Sequence, residues 1–176
     1  MIVRLRPYKS MDEDFLIRWA GDEEALALWG AGYFRYPLTK EQLNLYKERY
    51  ENEPEGFLMT AIDEKGIPVG HIRMEKPDWE ESSIWFGNIM VDSSRRGTGL
   101  GTKMLETAFT YAFEVLKVSK VILGVFDNNL PAQKCYRRLG FVENGRSEEY
   151  RIFREEVWRR REMELSKQQL ENRQEA

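Results

Sequence analysis

From Val91 to Thr102 the chain reads Val-Asp-Ser-Ser-Arg-Arg-Gly-Thr-Gly-Leu-Gly-Thr, passing from a β-branched apolar run through a basic, glycine-rich turn into an amphipathic segment. Glycines let the main chain turn tightly and approach a ligand with no Cβ in the way, so that several N–H groups can converge on phosphate oxygens. The positive end of a following helix and the guanidinium groups of Arg95 and Arg96 add attraction for a multiply charged anion. These parts, in this order, predict a pyrophosphate cradle. Two other glycine loops fail on spacing. A P-loop requires Gly-Lys-Ser/Thr five residues after its first glycine, and neither Gly97 nor Gly99 has that continuation. A dinucleotide fingerprint requires a glycine where Thr102 or Met104 stands.

Further along, Val121 to Phe126 reads as a buried strand, Asp127-Asn128-Asn129 as a helix start, and Ala132, Cys135, Tyr136 and Leu139 as one helical face ended by Gly140. The pattern Arg96-x-x-Gly99-x-Gly101 resembles motif A of the GNAT superfamily of acetyl-CoA-dependent N-acetyltransferases. Asn129-x-x-Ala132-x-x-x-Tyr136-x-x-x-Gly140-Phe141 is similar to its motif B. The close resemblance covers about residues 84 to 141, and its nearest look is toward the branch that modifies ribosomal-protein amino termini and small-molecule amines. It implies acetyl-CoA as co-substrate and no metal. It also implies that the main chain of Met90 and Val91 pairs with pantetheine and polarises the acetyl carbonyl. Arg96, Gly97, Thr98, Gly99, Leu100, Gly101 and Thr102 would hold the pyrophosphate, and Asn129 would bond the amide arm.

By the same resemblance Tyr136 is the general acid. A thiol pKa of about 8.5 lies below the phenol's roughly 10, so full proton transfer to a thiolate is uphill by about 2 kcal/mol, and a strong late hydrogen bond is the safer role. The general base is where this chain departs from relatives that acetylate amino termini. The positions at which those relatives often carry glutamate are Trp85 and Gly124. His71, Glu80 and Glu81 are the weak candidates that remain. Freeing a proton from an α-amino group at neutral pH costs only roughly 1 kcal/mol, so water could carry it. Trp29, Tyr33, Phe34 and Tyr36 lie where relatives build the acceptor pocket. The main alternative is a non-catalytic module that binds an acyl-CoA as a sensor or scaffold. A further one is a nucleotide-binding protein unrelated to acyl transfer.

The elements that must position these groups follow from periodicity and caps. Ile2 to Arg6 alternates and should form an edge strand ended by Pro7. Ser10-Met11-Asp12-Glu13 and Thr39-Lys40-Glu41-Gln42 have the spacing of capping boxes for two helices, and a short helix from Asp22 to Gly30 lies between them. Phe57–Ile62 and Val69–Met74 predict a hairpin turning at Asp63–Gly66. Lys76 to Ser82 is a polar connection, and Ile84–Val91 is a strand of the fully buried type. Leu100, Met104, Leu105, Ala108, Ala112 and Leu116 form a core stripe on the helix after the cradle. Glu149–Phe153 and Val157–Leu165 suggest a closing hairpin, with helix as a rival because of their charge. The whole is an α/β (α+β) arrangement with a mixed central sheet flanked by helices. The resemblance adds splayed fourth and fifth strands.

With 176 residues, one cysteine and a net charge of −3, the chain is expected to form a single domain over residues 1–166, with a polar, frayed tail at 167–176. Cys135 reads as a small core hydrophobe. The early arginines fit no signal peptide, no apolar run has membrane-spanning length, and the charge shows no nucleic-acid footprint. The expectation is a cytoplasmic protein, monomeric or homodimeric, whose partner is an amine acceptor and which engages neither nucleic acid nor membrane.

Overall fold

The computed structural model describes every residue except 31, 53–55, 76, 146–148 and 175–176, so Lys76 of the polar connection lies outside it. The chain divides into two compact units, Met1–Lys76 with Gly87–Ala108, and Pro77–Phe86 with Phe109–Ala176.

In the first unit β1 (Arg4–Pro7) pairs antiparallel with β2 (Gly56–Ile62), which forms a hairpin with β3 (Pro68–Glu75). The expected turn is present, and the Asp63 carboxylate accepts from the N–H groups of Lys65 and Ile67. β3 neighbours β4 (Ser83–Val91), a strand whose second half belongs to this unit. Three helices, α1 (Glu13–Ala20), α2 (Glu23–Gly30) and α3 (Lys40–Asn52), bury Leu16, Trp19, Leu26, Trp29, Leu43 and Tyr46 in one apolar cluster. The start of α4 (Leu100–Thr110) packs Leu100 and Met104 against Val3, Ala61 and Val69.

Two of the expected caps work differently from their sequence reading. Ser10 does not cap α1. Instead Asp12, fully buried, accepts from Lys9 N–H, the Thr60 hydroxyl and both Nη atoms of Arg6. Burial alone would raise the Asp12 carboxyl, but the Arg6, Thr60 and Lys9 bonds outweigh it and hold it below its ordinary value. At α3 the Thr39 hydroxyl does accept from Gln42 N–H, but the Gln42 amide reaches away to Arg35 and Pro37 and ties down the loop after α2.

In the second unit the first half of β4 pairs in parallel with β5 (Lys120–Phe126), but only over Ser83–Phe86 and Lys120–Leu123. The ladder stops there, while β5 continues to Phe126 along antiparallel β8 (Glu156–Ser166). α5 (Leu130–Leu139) follows β5, the two-residue β6 (Val142–Glu143) pairs with β8, and β7 (Tyr150–Phe153) closes on β8 as the predicted hairpin. Helix loses here because the charges fall on the solvent side. Trp158, Met163 and Leu165 are buried, whereas Arg159 and Arg161 between them are exposed.

The segment Lys167–Gln174, part of the expected polar tail, forms a helix, α6. Ser166 Oγ accepts from Gln169 N–H and Gln169 Oε1 accepts from Ser166 N–H, a reciprocal capping box that fixes the first turn. Lys167 Nζ also reaches Glu114 Oε1 at 2.8 Å.

Candidate active site

The loop leaving β4 is shaped by its own side chains. Asp92 accepts from the N–H and hydroxyl of Ser94, and the Thr98 hydroxyl donates to Arg95 O. Gly97 and Gly99 take φ of +78° and +84°, which an L side chain adopts only with strain, and nothing lies within 4 Å of the Cβ position of either. Among the described residues, no main-chain acceptor takes the N–H groups of Gly97, Thr98, Gly99, Leu100 or Gly101. Arg95 is held by Asp63 at 3.1 Å, whereas exposed Arg96 has no ion-pair partner among the described residues. A bend with free donors, open space where side chains would stand and an unpaired guanidinium fits a diphosphate. Met90 and Val91 end β4 just ahead of this bend, Met90 buried and Val91 half-buried.

Two residues before Met90, Asn88 takes a left-handed φ of +45°, a local irregularity of β4. It is locked by Trp29. The indole Nε1 donates to Asn88 O at 2.7 Å, and Asn88 Nδ2 donates back to Trp29 O at 3.0 Å. Of the aromatic residues expected at the acceptor pocket, Trp29 and Phe34 are core, stacked at 4.8 Å, while Tyr33 and Tyr36 are exposed on the loop between α2 and α3. Tyr33 OH accepts from Arg73 Nη1 at 2.6 Å.

His71 is completely buried, edge-on to Tyr8 and Trp29, with Nε2 3.2 Å from Tyr46 OH. Burial lowers its pKa to about 3, so the imidazole is neutral at physiological pH and too weak a base to take an ammonium proton.

Asn129 and Tyr136 lie in the second unit, on the strand-to-helix turn and the helix that motif B describes. Asn129 Oδ1 caps α5 by accepting from Ala132 N–H, and among the described residues its Nδ2 has no hydrogen-bonding partner. Gly140, at φ +99°, ends α5, and Phe141 N–H donates to Tyr136 O, so that the Phe141 ring packs 5.8 Å from that of Tyr136. Tyr136 is buried, and burial drives its hydroxyl well above the ordinary phenol value. It is therefore a neutral donor at any working pH. Cys135 is only partly buried, against the core expectation, which follows from its place on the side of α5 next to Tyr136.

Of the weak base candidates, Glu80 and Glu81 are exposed in a turn ahead of β4, their N–H groups bound by Asp78 Oδ1, at the opposite end of that strand from Met90. Trp85 and Gly124 are both covered by Arg160. Its guanidinium lies 5.1 Å from the Trp85 ring centroid, and its Cδ would stand 2.7 Å from a Cβ on Gly124.

With this geometry in view, comparison with known proteins is decisive for the family. The model of the acetyltransferase (GNAT) family matches residues 17–141. The chain belongs to this family. The spermine/spermidine N(1)-acetyltransferase of Bacillus subtilis is 33% identical over 100 residues, which cover 54% of this chain and 57% of that protein. The chain thus matches little more than half the length of that GNAT relative. The aminoglycoside N(6')-acetyltransferase type 1 of Klebsiella pneumoniae is 26% identical over 145 residues, 78% of this chain and 68% of that protein. The crystal structure of a Vibrio cholerae spermidine N-acetyltransferase in complex with CoA and spermine has the same fold, with a TM-score of 0.80 at 20% identity, covering 97% of this chain and 98% of that one.

Proposed function

We propose that this chain is an N-acetyltransferase that moves an acetyl group from acetyl-CoA directly to a primary amine within a ternary complex. The observation that carries the reading is the bend from Gly97 to Gly101, with its free N–H donors and open glycines, placed straight after Met90 and Val91. Acetyl-CoA, when bound, supplies an activated acyl carbon on a thiol leaving group. Arg96 and the N–H groups of residues 97–102 grip the diphosphate, and the main chain of Met90 and Val91 orients the pantetheine and acetyl carbonyl. Asn129 Nδ2 donates to the amide arm. Tyr136 donates its hydroxyl hydrogen bond to the departing sulfur as the amine nitrogen bonds to the acyl carbon.

Water removes the proton that the amine loses, because His71 is sealed in the core and Glu80 and Glu81 lie at the far end of β4. The polyamine and aminoglycoside activities named for its relatives make a small-molecule amine the favoured acceptor over a protein amino terminus. The same lack of a placed base favours a second reading, an acyl-CoA sensor without turnover. Thiol release from acetyl-CoA, followed with polyamines, aminoglycosides, simple amines and amino-terminal peptides, separates the two: release with any acceptor supports transfer, and its absence with all of them supports the sensor.

A further inference from the structure

α5 buries Gln133, Tyr136 and Leu139, and the first of these is an amide. Gln133 is only 4% exposed, and it stands four residues after Asn129 and three before Tyr136, the spacings that share a helix face. Its Nε2 donates to Phe126 O at 3.1 Å and to Asp127 O at 2.9 Å, the last carbonyl of β5 and the one that follows it. Carbonyl oxygens only accept, so the amide nitrogen must be the atom that faces them. Phe126 O also accepts from Asn129 N–H at 3.0 Å, so Gln133 and Asn129 meet on one oxygen. Asp127 is held by β8 as well: its N–H donates to Arg159 O at 2.9 Å, and its Oδ1 accepts from Arg159 N–H at 3.1 Å.

Taking an amide out of water is unfavourable unless it is hydrogen-bonded, and filling space alone would call for an apolar side chain, as Leu139 does on the same face. What the amide adds is direction. Asn128 and Leu130 on either side of Asn129 are exposed, so the turn is fixed by bonds more than by packing. We propose that Gln133 is a positioning residue for coenzyme A: by holding the main-chain oxygens of Phe126 and Asp127, it sets the turn from which Asn129 reaches the amide arm. The proposal rests on the acetyl-transfer reading, in which Asn129 bonds that arm, and adds the residue that aims it. Gln133 acts through Phe126 and Asp127 and not through the ligand. Its influence is therefore confined to the pantetheine side of the cofactor, because the diphosphate is gripped by the bend from Gly97 to Gly101.

Gln133→Met keeps the length of the side chain and removes its hydrogen bonds. Titration calorimetry then compares coenzyme A with 3′-phospho-ADP, the fragment that retains the diphosphate and lacks the pantetheine arm. The expected result is coenzyme A binding at least about tenfold weaker in the variant, with 3′-phospho-ADP within about twofold of the wild type. A general loss of structure would weaken both ligands alike. In an Asn129→Ala background Gln133→Met should weaken coenzyme A little further, because the two residues serve one contact. Equal weakening of both ligands, no weakening of coenzyme A, or additive losses in the double variant overturns the inference. Hydrogen exchange on the wild type decides the matter even where Gln133→Met fails to fold. The N–H groups of Asp127 and Asn129 should be as well protected in the free protein as in the coenzyme A-saturated one, and protection that arises only on binding overturns it. A wild type that binds coenzyme A no more tightly than 3′-phospho-ADP sinks this inference alone. A wild type that binds neither coenzyme A nor acetyl-CoA removes the acetyl-transfer reading itself.

Discussion

At the scale of single residues, two side chains singled out by their type behave in opposite ways. Tyr136 is a phenol that burial keeps protonated, which suits a hydrogen-bond donor to a leaving thiolate better than a proton reservoir. Tyr136→Phe should lower kcat about a hundredfold while coenzyme A affinity changes by less than about twofold. The wild-type pH–rate profile should also show no alkaline loss attributable to this phenol below about pH 10. Steady-state kinetics on the variant check the first and the wild-type pH–rate profile the second, and an unchanged kcat in the variant would remove the residue from the reaction. His71 was legible as the one histidine, but its burial was not, because nothing local announces that Tyr8, Trp29 and Tyr46 close around it.

The depressed pKa of His71 has a signed consequence for stability. The unfolded imidazole takes up a proton below about pH 6.5, whereas the folded one does so only near 3, so the unfolded state binds more protons throughout that window. The contribution is complete above about pH 6.5 and falls on acidification by about 1.4 kcal/mol per pH unit. His71→Gln should therefore show a shallower decline of the urea midpoint between about pH 6 and pH 4 than the wild type. Parallel declines would show that another group titrates in that range.

At the scale of elements, the central device is a strand that ends in a bend whose glycines cannot be replaced at no cost. Gly99→Ala places a Cβ at φ +84°, a strain of about 1–2 kcal/mol, in a spot with no neighbour to clash with. The fold should survive with a modest fall in melting temperature while coenzyme A binds at least about tenfold more weakly. A loss of stability with unaltered affinity would mean that the bend is only a turn.

Elements with strong periodicity were legible: the β2–β3 hairpin, the α4 stripe, and β5 followed by α5. The capping signals were less reliable, because a box is a spacing and the structure decides who uses it. Ser10 is bypassed by buried Asp12, whereas Ser166-Lys167-Gln168-Gln169, the same spacing in a polar segment, starts a real helix. Arg73 went unread for another reason. Its packing depends on Gly87 of the next strand and on Tyr33 and Tyr50 far away in sequence, which no local pattern links.

At the scale of the whole molecule, the motifs carried the family, and the match over residues 17–141 extends that identity well upstream of the stretch in which they were recognised. The acceptor was not legible there, because the residues expected at its pocket, such as Trp29 and Tyr33, meet their β3 partners His71 and Arg73 only after folding. The account as a whole depends on the bend gripping a diphosphate. Isothermal titration calorimetry of coenzyme A against the wild-type chain and Gly99→Ala tests this most directly. One-to-one binding to the wild type, weakened about tenfold in the variant, is the result the account requires. Absence of binding by both coenzyme A and acetyl-CoA would contradict it.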